Sequence, residues 1–129
     1  MDRVIGLGGI LFKCKDPELT KNWYKKHLNI GNNAYGHTFY KETSSASSDN
    51  EPIEWCPFRD NTEYFNPSNA DYIINYRVSQ LEQLLILLKE EGVETIGELE
   101  ETEYGKFAWI MDPDGRKTEL WEPLPSTNP

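Results

Sequence analysis

Apolar residues in this chain recur with two spacings, and the change from one to the other happens in the same order twice. Residues 3–15 mix Val4, Ile5, Leu7, Ile10, Leu11 and Phe12 with glycines, a run that predicts a strand. Asp16-Pro17-Glu18 ends it with helix-start chemistry: a capping carboxylate, a proline suited to the first helical position and an acid at the positive end of the dipole. Leu19, Trp23 and Leu28 then predict an amphipathic helix to about His27 that stops near Gly31. "YGHTFYKE" (35–42) and "PIEWCPF" (52–58) predict two strands, with the polar "TSSASSDN" between them as a hairpin tip or short loop. Residues 59–69 are polar with one proline and read as a linker.

The order then repeats. Residues 72–78 predict a strand, Ser79 and Glu82 fit the S-x-x-E capping box, and Leu81, Leu84, Leu85 and Leu88 fill one face of a helix that Gly92 closes. Residues 93–99, 107–111 and 117–121 predict three more strands. Asp112-Pro113-Asp114-Gly115 turns between the last two, with glycine free to take the left-handed conformation of a bulged hairpin. The halves also share text: "YGHTFY" at Tyr35 matches "YGKFAW" at Tyr104, and "IEWCPF" at Ile53 matches "TELWEP" at Thr118. A duplication inside one domain follows, with modules at about residues 3–58 and 71–123, a linker at 59–70 and a tail at 124–129. Under that alignment Glu54 is the counterpart of Glu119.

Composition narrows the function classes. A chain of 129 residues, 37% hydrophobic and 12% aromatic, is long enough for one domain with its own core. A net charge of −9 argues against nucleic acid and anionic membrane as partners, both being polyanions. No run approaches the ~20 apolar residues of a membrane span. Cys14 and Cys56 lack metal or redox spacing, and the opening residues lead straight into strand and helix-cap chemistry, so a cytoplasmic protein with reduced thiols is expected. "GLGG" lies inside a strand and opens no helix, which removes the dinucleotide-loop reading.

The two βαβββ halves, the cap "KDPELTKNWYKKHL" and the closing "YGKFAWIMDPDGRKTELWEP" resemble the vicinal-oxygen-chelate superfamily, which includes glyoxalase I, extradiol dioxygenases and the fosfomycin- and bleomycin-resistance proteins. The resemblance runs over roughly residues 4–123. It implies an α+β fold in which tandem modules form curved mixed sheets around a cavity. It also implies a divalent metal held there by residues of the first strand of each half and acids of the last strands, and a homodimer. Such a metal binds adjacent substrate oxygens and stabilises the charge that develops on them.

Transferred residue by residue, the resemblance places Glu119 on the last-strand ligand position and Glu54 on its equivalent. Gly9 and Ile73 stand at the first-strand positions, where neither side chain can ligate. Two carboxylates suit a hard cation better than zinc or iron. A divalent metal and no cofactor at all are therefore both kept. His37 is the histidine left to complete a site if it faces the cavity. Glu119 is either an inward ligand or base, or one partner of a surface ion pair. Paired with Glu54 and without metal, it would act as an acid or base. Asn75 and Arg77 share a strand face and either contact a substrate carboxylate or carbonyl, or close the sheet, Arg77 then pairing with an acid. Trp109 and Trp121 either stack a flat ligand or pack the core. Two functions remain: a glyoxalase-like or dioxygenase-like enzyme that isomerises, lyses, conjugates or oxidises a small oxygenated molecule, with Glu119 as ligand or base, and a metal-free protein of the bleomycin-resistance type that sequesters one.

Overall fold

The computed structural model describes residues 3–40 and 51–125. Its elements run β1 (Val4–Cys14), α1 (Pro17–Leu28), β2 (His37–Phe39), β3 (Ile53–Arg59), β4 (Tyr72–Val78), α2 (Leu81–Glu90), β5 (Thr95–Thr102), β6 (Gly105–Met111) and β7 (Lys117–Pro123). The expected hairpin tip at 43–50, and the end of the strand expected at 35–42, lie outside the described residues. The strands form one sheet in the order β2-β3-β1-β4-β7-β6-β5. Within each half the first strand takes the last as its parallel neighbour, β1 with β3 and β4 with β7. The halves then join edge to edge through antiparallel β1 and β4. Among the described residues the first half contributes three strands and the second four, and the two modules together make one mixed seven-stranded sheet of the expected α+β fold.

Both helices lie on one face. The register aligns Trp55 with Ile10 and Ile10 with Ile74, while Tyr76 aligns with Leu120 and Leu120 with Ala108. Helix α2 packs on that face through Leu81, Leu84 and Leu85 against Val78, Ala108 and Leu120, as its leucine spacing requires. Its start differs from expectation. Gln80 is the N-cap and offers no side-chain bond. The orphan amide of Leu81 instead donates to Glu122 Oε1 at 2.9 Å, so the β7 strand supplies the acceptor that a local capping box would have provided.

Helix α1 starts as its sequence predicts, with Asp16 Oδ1 accepting from the amides of Glu18 and Leu19 at 3.1 and 3.2 Å. Its apolar stripe, however, is not core: no residue of α1 is buried, and Leu19, Trp23 and Leu28 are each more than half exposed. The helix touches the sheet mainly through Tyr24, which meets the Trp55 ring edge-on at 4.9 Å.

The larger departure is the linker. Residues 59–70 fold back across the opposite face of the sheet. Phe65 is completely buried there against Leu11 and Ile73, with Cys56, Phe58 and Tyr64 around it. Tyr64 stacks on Phe58 at 5.5 Å and Lys13 Nζ sits 5.3 Å from the Phe65 ring centre. Polar composition concealed this because two consecutive aromatics are enough to fill a small layer. Burial of the Phe65 ring should be worth far more than the exposed Trp23. By urea unfolding, Phe65→Ala should lose about 3–5 kcal/mol and Trp23→Ala less than about 1 kcal/mol.

Candidate functional site

On the face away from the helices, the register lines up one residue from each strand. Thr38 pairs with Glu54, Glu54 with Gly9, Gly9 with Asn75, Asn75 with Glu119, Glu119 with Trp109 and Trp109 with Ile96. Paired residues point the same way, so this row crosses all seven strands. The two acids that the sequence aligned between the halves are equivalent in structure too. Each lies on the last strand of its half, in register with the first.

That register corrects one assignment. The first-strand residue opposite Glu119 is Asn75, not Ile73. Ile73 pairs with Leu11, one row up, and is fully buried under Phe65. The offset of two residues follows strand length: β1 runs five residues beyond Gly9, to Cys14, before Asp16 caps α1, whereas β4 runs three beyond Asn75, to Val78, before Gln80 caps α2. The β1–β4 ladder itself slips between Leu7 and Gly9. The slip is made of glycines because side chains do not fit. A Cβ on Gly8 would overlap Asn75 Oδ1, and one on Gly9 would overlap the Glu54 carbonyl oxygen.

Glu119 is 3% exposed and has a donor for each direction its oxygens face. Asn75 Nδ2 donates to Oε1 at 2.6 Å, Trp109 Nε1 donates to Oε2 at 2.9 Å, and the Tyr64 hydroxyl donates to Oε2. Glu119 is therefore not one partner of a surface ion pair, since the carboxylate is interior and bonded to neutral donors. Burial and the adjacent Glu119 charge hold the Tyr64 phenol well above its ordinary range, so it remains a donor.

Lys117 shares this face two residues earlier in β7. Its Nζ donates to the Tyr64 carbonyl oxygen at 2.7 Å and lies 5.1 Å from the Tyr64 ring centre and 5.5 Å from that of Trp109. Burial pushes its ammonium below the ordinary lysine range, opposed by Glu119 and Glu100. Tyr64 is thus held at both ends, by Glu119 at the hydroxyl and Lys117 at the backbone. Strand alternation places Lys117 on the face of Glu119, but nothing periodic in the sequence brings Tyr64 there. The signal was an adjacent Tyr-Phe pair inside an otherwise polar segment.

The remaining candidates divide. Glu54 is half-buried and accepts from Thr38 Oγ1 at 2.8 Å. Trp121 lies on the acid face, parallel to Phe107 with ring centres 6.0 Å apart, and its Nε1 donates to the Tyr104 carbonyl. Arg77 is buried on the same face and donates from Nη2 to the Leu7 carbonyl at 2.8 Å. No carboxylate among the described residues lies within ion-pair reach of it, so the expected acid partner is absent there. His37 is elsewhere. It pairs with Trp55, on the helix face, and its Nδ1 accepts from the Gly31 amide at 2.7 Å. The bond leaves it anchoring the loop after α1, not facing the acids. Cys56 does lie on the acid face, but burial and the two glutamates push its thiol up to about 11, which suppresses the thiolate.

The donor set tests poorly for a metal. Among the described residues no group of three or more His, Cys, Asp and Glu side chains converges. Between the two acids stand Gly9, with nothing to offer, and Asn75, whose amide nitrogen is turned toward Glu119 as a donor. A cation at Glu119 would have to displace three hydrogen-bond donors, two of them on aromatic side chains packed at the site, the buried Trp109 and the partly buried Tyr64.

No protein-family model and no curated protein matches this sequence. Solved structures do match. A methylmalonyl-CoA epimerase from Mycobacterium tuberculosis superposes with a TM-score of 0.64 at 19% identity, over 97% of this chain and 92% of that one. A Mn(II)-bound glyoxalase from Novosphingobium aromaticivorans gives 0.64 at 15% identity, over 95% of this chain and 40% of that one. A glyoxalase/bleomycin resistance protein/dioxygenase superfamily member from Vibrio splendidus gives 0.57 at 15% identity, over 90% of this chain and 98% of that one. The fold is that of the vicinal-oxygen-chelate proteins, as the sequence resemblance implied.

The raised Tyr64 phenol gives a pH signature. Its proton is held more tightly folded than unfolded, so the stability it brings is fully present below the unfolded value of about 10 and is lost as pH rises above it. Urea unfolding of wild type and Tyr64→Phe should differ by about 1–2 kcal/mol at pH 7. The gap should shrink as pH climbs past about 10, because Lys117 is common to both proteins. A gap that stays constant would mean the hydroxyl does not hold Glu119.

Proposed function

We propose that this protein binds a small oxygenated molecule on the acid face of its glyoxalase-type sheet without a metal, in the manner of a sequestering protein. The observation that carries this reading is the saturation of Glu119. The acid at the expected metal-ligand position already accepts from Tyr64, Asn75 and Trp109. Its role is to hold the 59–70 segment and the sheet together, and a metal-assisted lyase, isomerase or dioxygenase would need that network dismantled.

The Mn(II) of the Novosphingobium protein and the CoA ester named for the epimerase belong to those proteins. For this chain the donor chemistry supports neither ligation by Glu119 and Glu54 nor a proton transfer between them. Glu54 and Glu119 lie on opposite sides of β1 and β4 in the row, each already bonded. What the face offers a ligand is Trp121 and Phe107 as a flat apolar wall, with Arg77, Asn75 and Glu54 as polar contacts. A homodimer accompanies this reading. Leu7, Ile10 and Tyr72 align on the helix face, all more than a third exposed, and a second copy would cover them.

Two measurements test the reading. Addition of Mn²⁺, Ni²⁺, Zn²⁺ or Mg²⁺ to chelator-treated protein should leave its melting temperature unchanged, whereas a stabilising shift that Glu119→Gln abolishes would establish the metal enzyme instead. In the absence of any metal, Glu119→Gln should itself lower stability by about 1–3 kcal/mol, because its amide must face a buried donor.

A further inference from the structure

Among the described residues, Arg77 is a buried cation of the acid face with no carboxylate in ion-pair reach. It is 8% exposed, its Nε has no hydrogen-bond partner, and the Leu7 carbonyl takes a single donor from Nη2. The other buried cation on this face, Lys117, differs in having aromatic rings on two sides and a carbonyl acceptor. Guanidinium cannot shed its proton, so burying it unpaired is costly unless an anion completes it. Gly6 lies beside the guanidinium, where a Cβ would make only ordinary contact with Nη2 at 3.5 Å, whereas at Gly8 a Cβ would overlap Asn75 Oδ1 and crowd the Trp121 ring. Asn75 Oδ1, next along the strand face, is also buried without a partner.

The register sets an aromatic surface beside this cation. Arg77 pairs with Trp121, and Trp121 pairs with Phe107, so the three share one row of the acid face. Trp121 and Phe107 lie 9° from parallel, and the indole nitrogen is fixed by the Tyr104 carbonyl, which holds the ring plane steady. Trp121 remains half-buried, with part of its surface free. A fork of N–H donors beside a fixed ring plane matches a carboxylate attached to a flat group.

We infer that Arg77 and Trp121 form a subsite for a small planar carboxylic acid, the carboxylate on the guanidinium and the flat portion against the indole. The inference rests on the binding reading above and adds to it the chemical class of the ligand. The glutamates do not defeat it, because Glu119 spends its charge on three donors in the adjacent row and Glu54 is two strands further along the sheet.

The test uses full-length protein and three probes: benzoate, its neutral isostere benzamide, and propionate, which keeps the charge without the ring. Calorimetric titration should show saturable benzoate binding at millimolar concentration, with benzamide and propionate each weaker by about tenfold or more. Arg77→Gln and Arg77→Lys should both weaken benzoate by about tenfold or more, and Trp121→Leu should weaken benzoate more than it weakens propionate. Circular dichroism establishes that each variant is folded, and the comparison of probes on wild type needs no variant. Equal binding of benzoate and benzamide, undiminished benzoate binding in the folded Arg77 variants, or no saturable binding would each overturn the subsite. The same titration with chelator separates the two readings. Benzoate binding that depends on Arg77 but requires added Mn²⁺ would sink the metal-free function and leave the subsite standing.

Discussion

A buried carboxylate has to be answered by donors, and in this protein Glu119 is answered by three separate parts of the chain. Asn75 reaches it from β4, Trp109 from β6 and Tyr64 from the segment between the two modules. Removing any one leaves a buried acceptor or donor unpaired, at a cost comparable to a sizeable share of a small domain's stability. The interaction therefore does more than occupy one position of the sheet. It fixes β4, β7 and β6 relative to each other and clasps residues 59–70 over the acid face of the sheet. Lys117 completes the clasp by holding the Tyr64 backbone.

The duplication explains why the acid is there at all. In each half the last strand runs parallel to the first, so equivalent residues of the two halves meet in one row across the sheet. Glu54 and Glu119 are such equivalents, yet they have different surroundings. Glu54 sits toward the sheet edge with a threonine hydroxyl, while Glu119 sits inside with aromatic donors. A symmetric frame has thus been given an asymmetric interior, and the 59–70 segment, which has no counterpart in the repeat, makes the difference. One half of the acid face is filled by Tyr64 and Phe65; the half with Arg77 and Trp121 keeps its polar groups only partly used.

Much of the frame was legible along the chain. The order of elements, the leucine face of α2, the Asp16 cap and the Asp112–Gly115 turn all follow from local patterns, because each depends on residues three or four apart. Glu119 as the distinctive residue was legible as well, through its place in a strand with apolar neighbours. Helix α1 shows the limit: Leu19, Trp23 and Leu28 have helical spacing, but only the position of the sheet beneath determines whether such a stripe is covered. The cap of α2 fails in the same way, since Glu122 on a distant strand took the place that Glu82 offered locally.

The sequence by itself determined the element order, the internal repeat, the acidic charge and the pairing of Glu54 with Glu119, because these are properties of spacing and residue type. Tertiary structure decided what those residues do. The parallel register of β4 and β7 put Asn75, and not Ile73, opposite Glu119. The return of residues 59–70 across the sheet brought Tyr64 to a carboxylate 55 residues away. Neither event leaves a periodic trace in the chain, since both depend on which surfaces meet after the strands have paired. The same acid can ligate a metal or anchor a segment, and only its neighbours in space determine which.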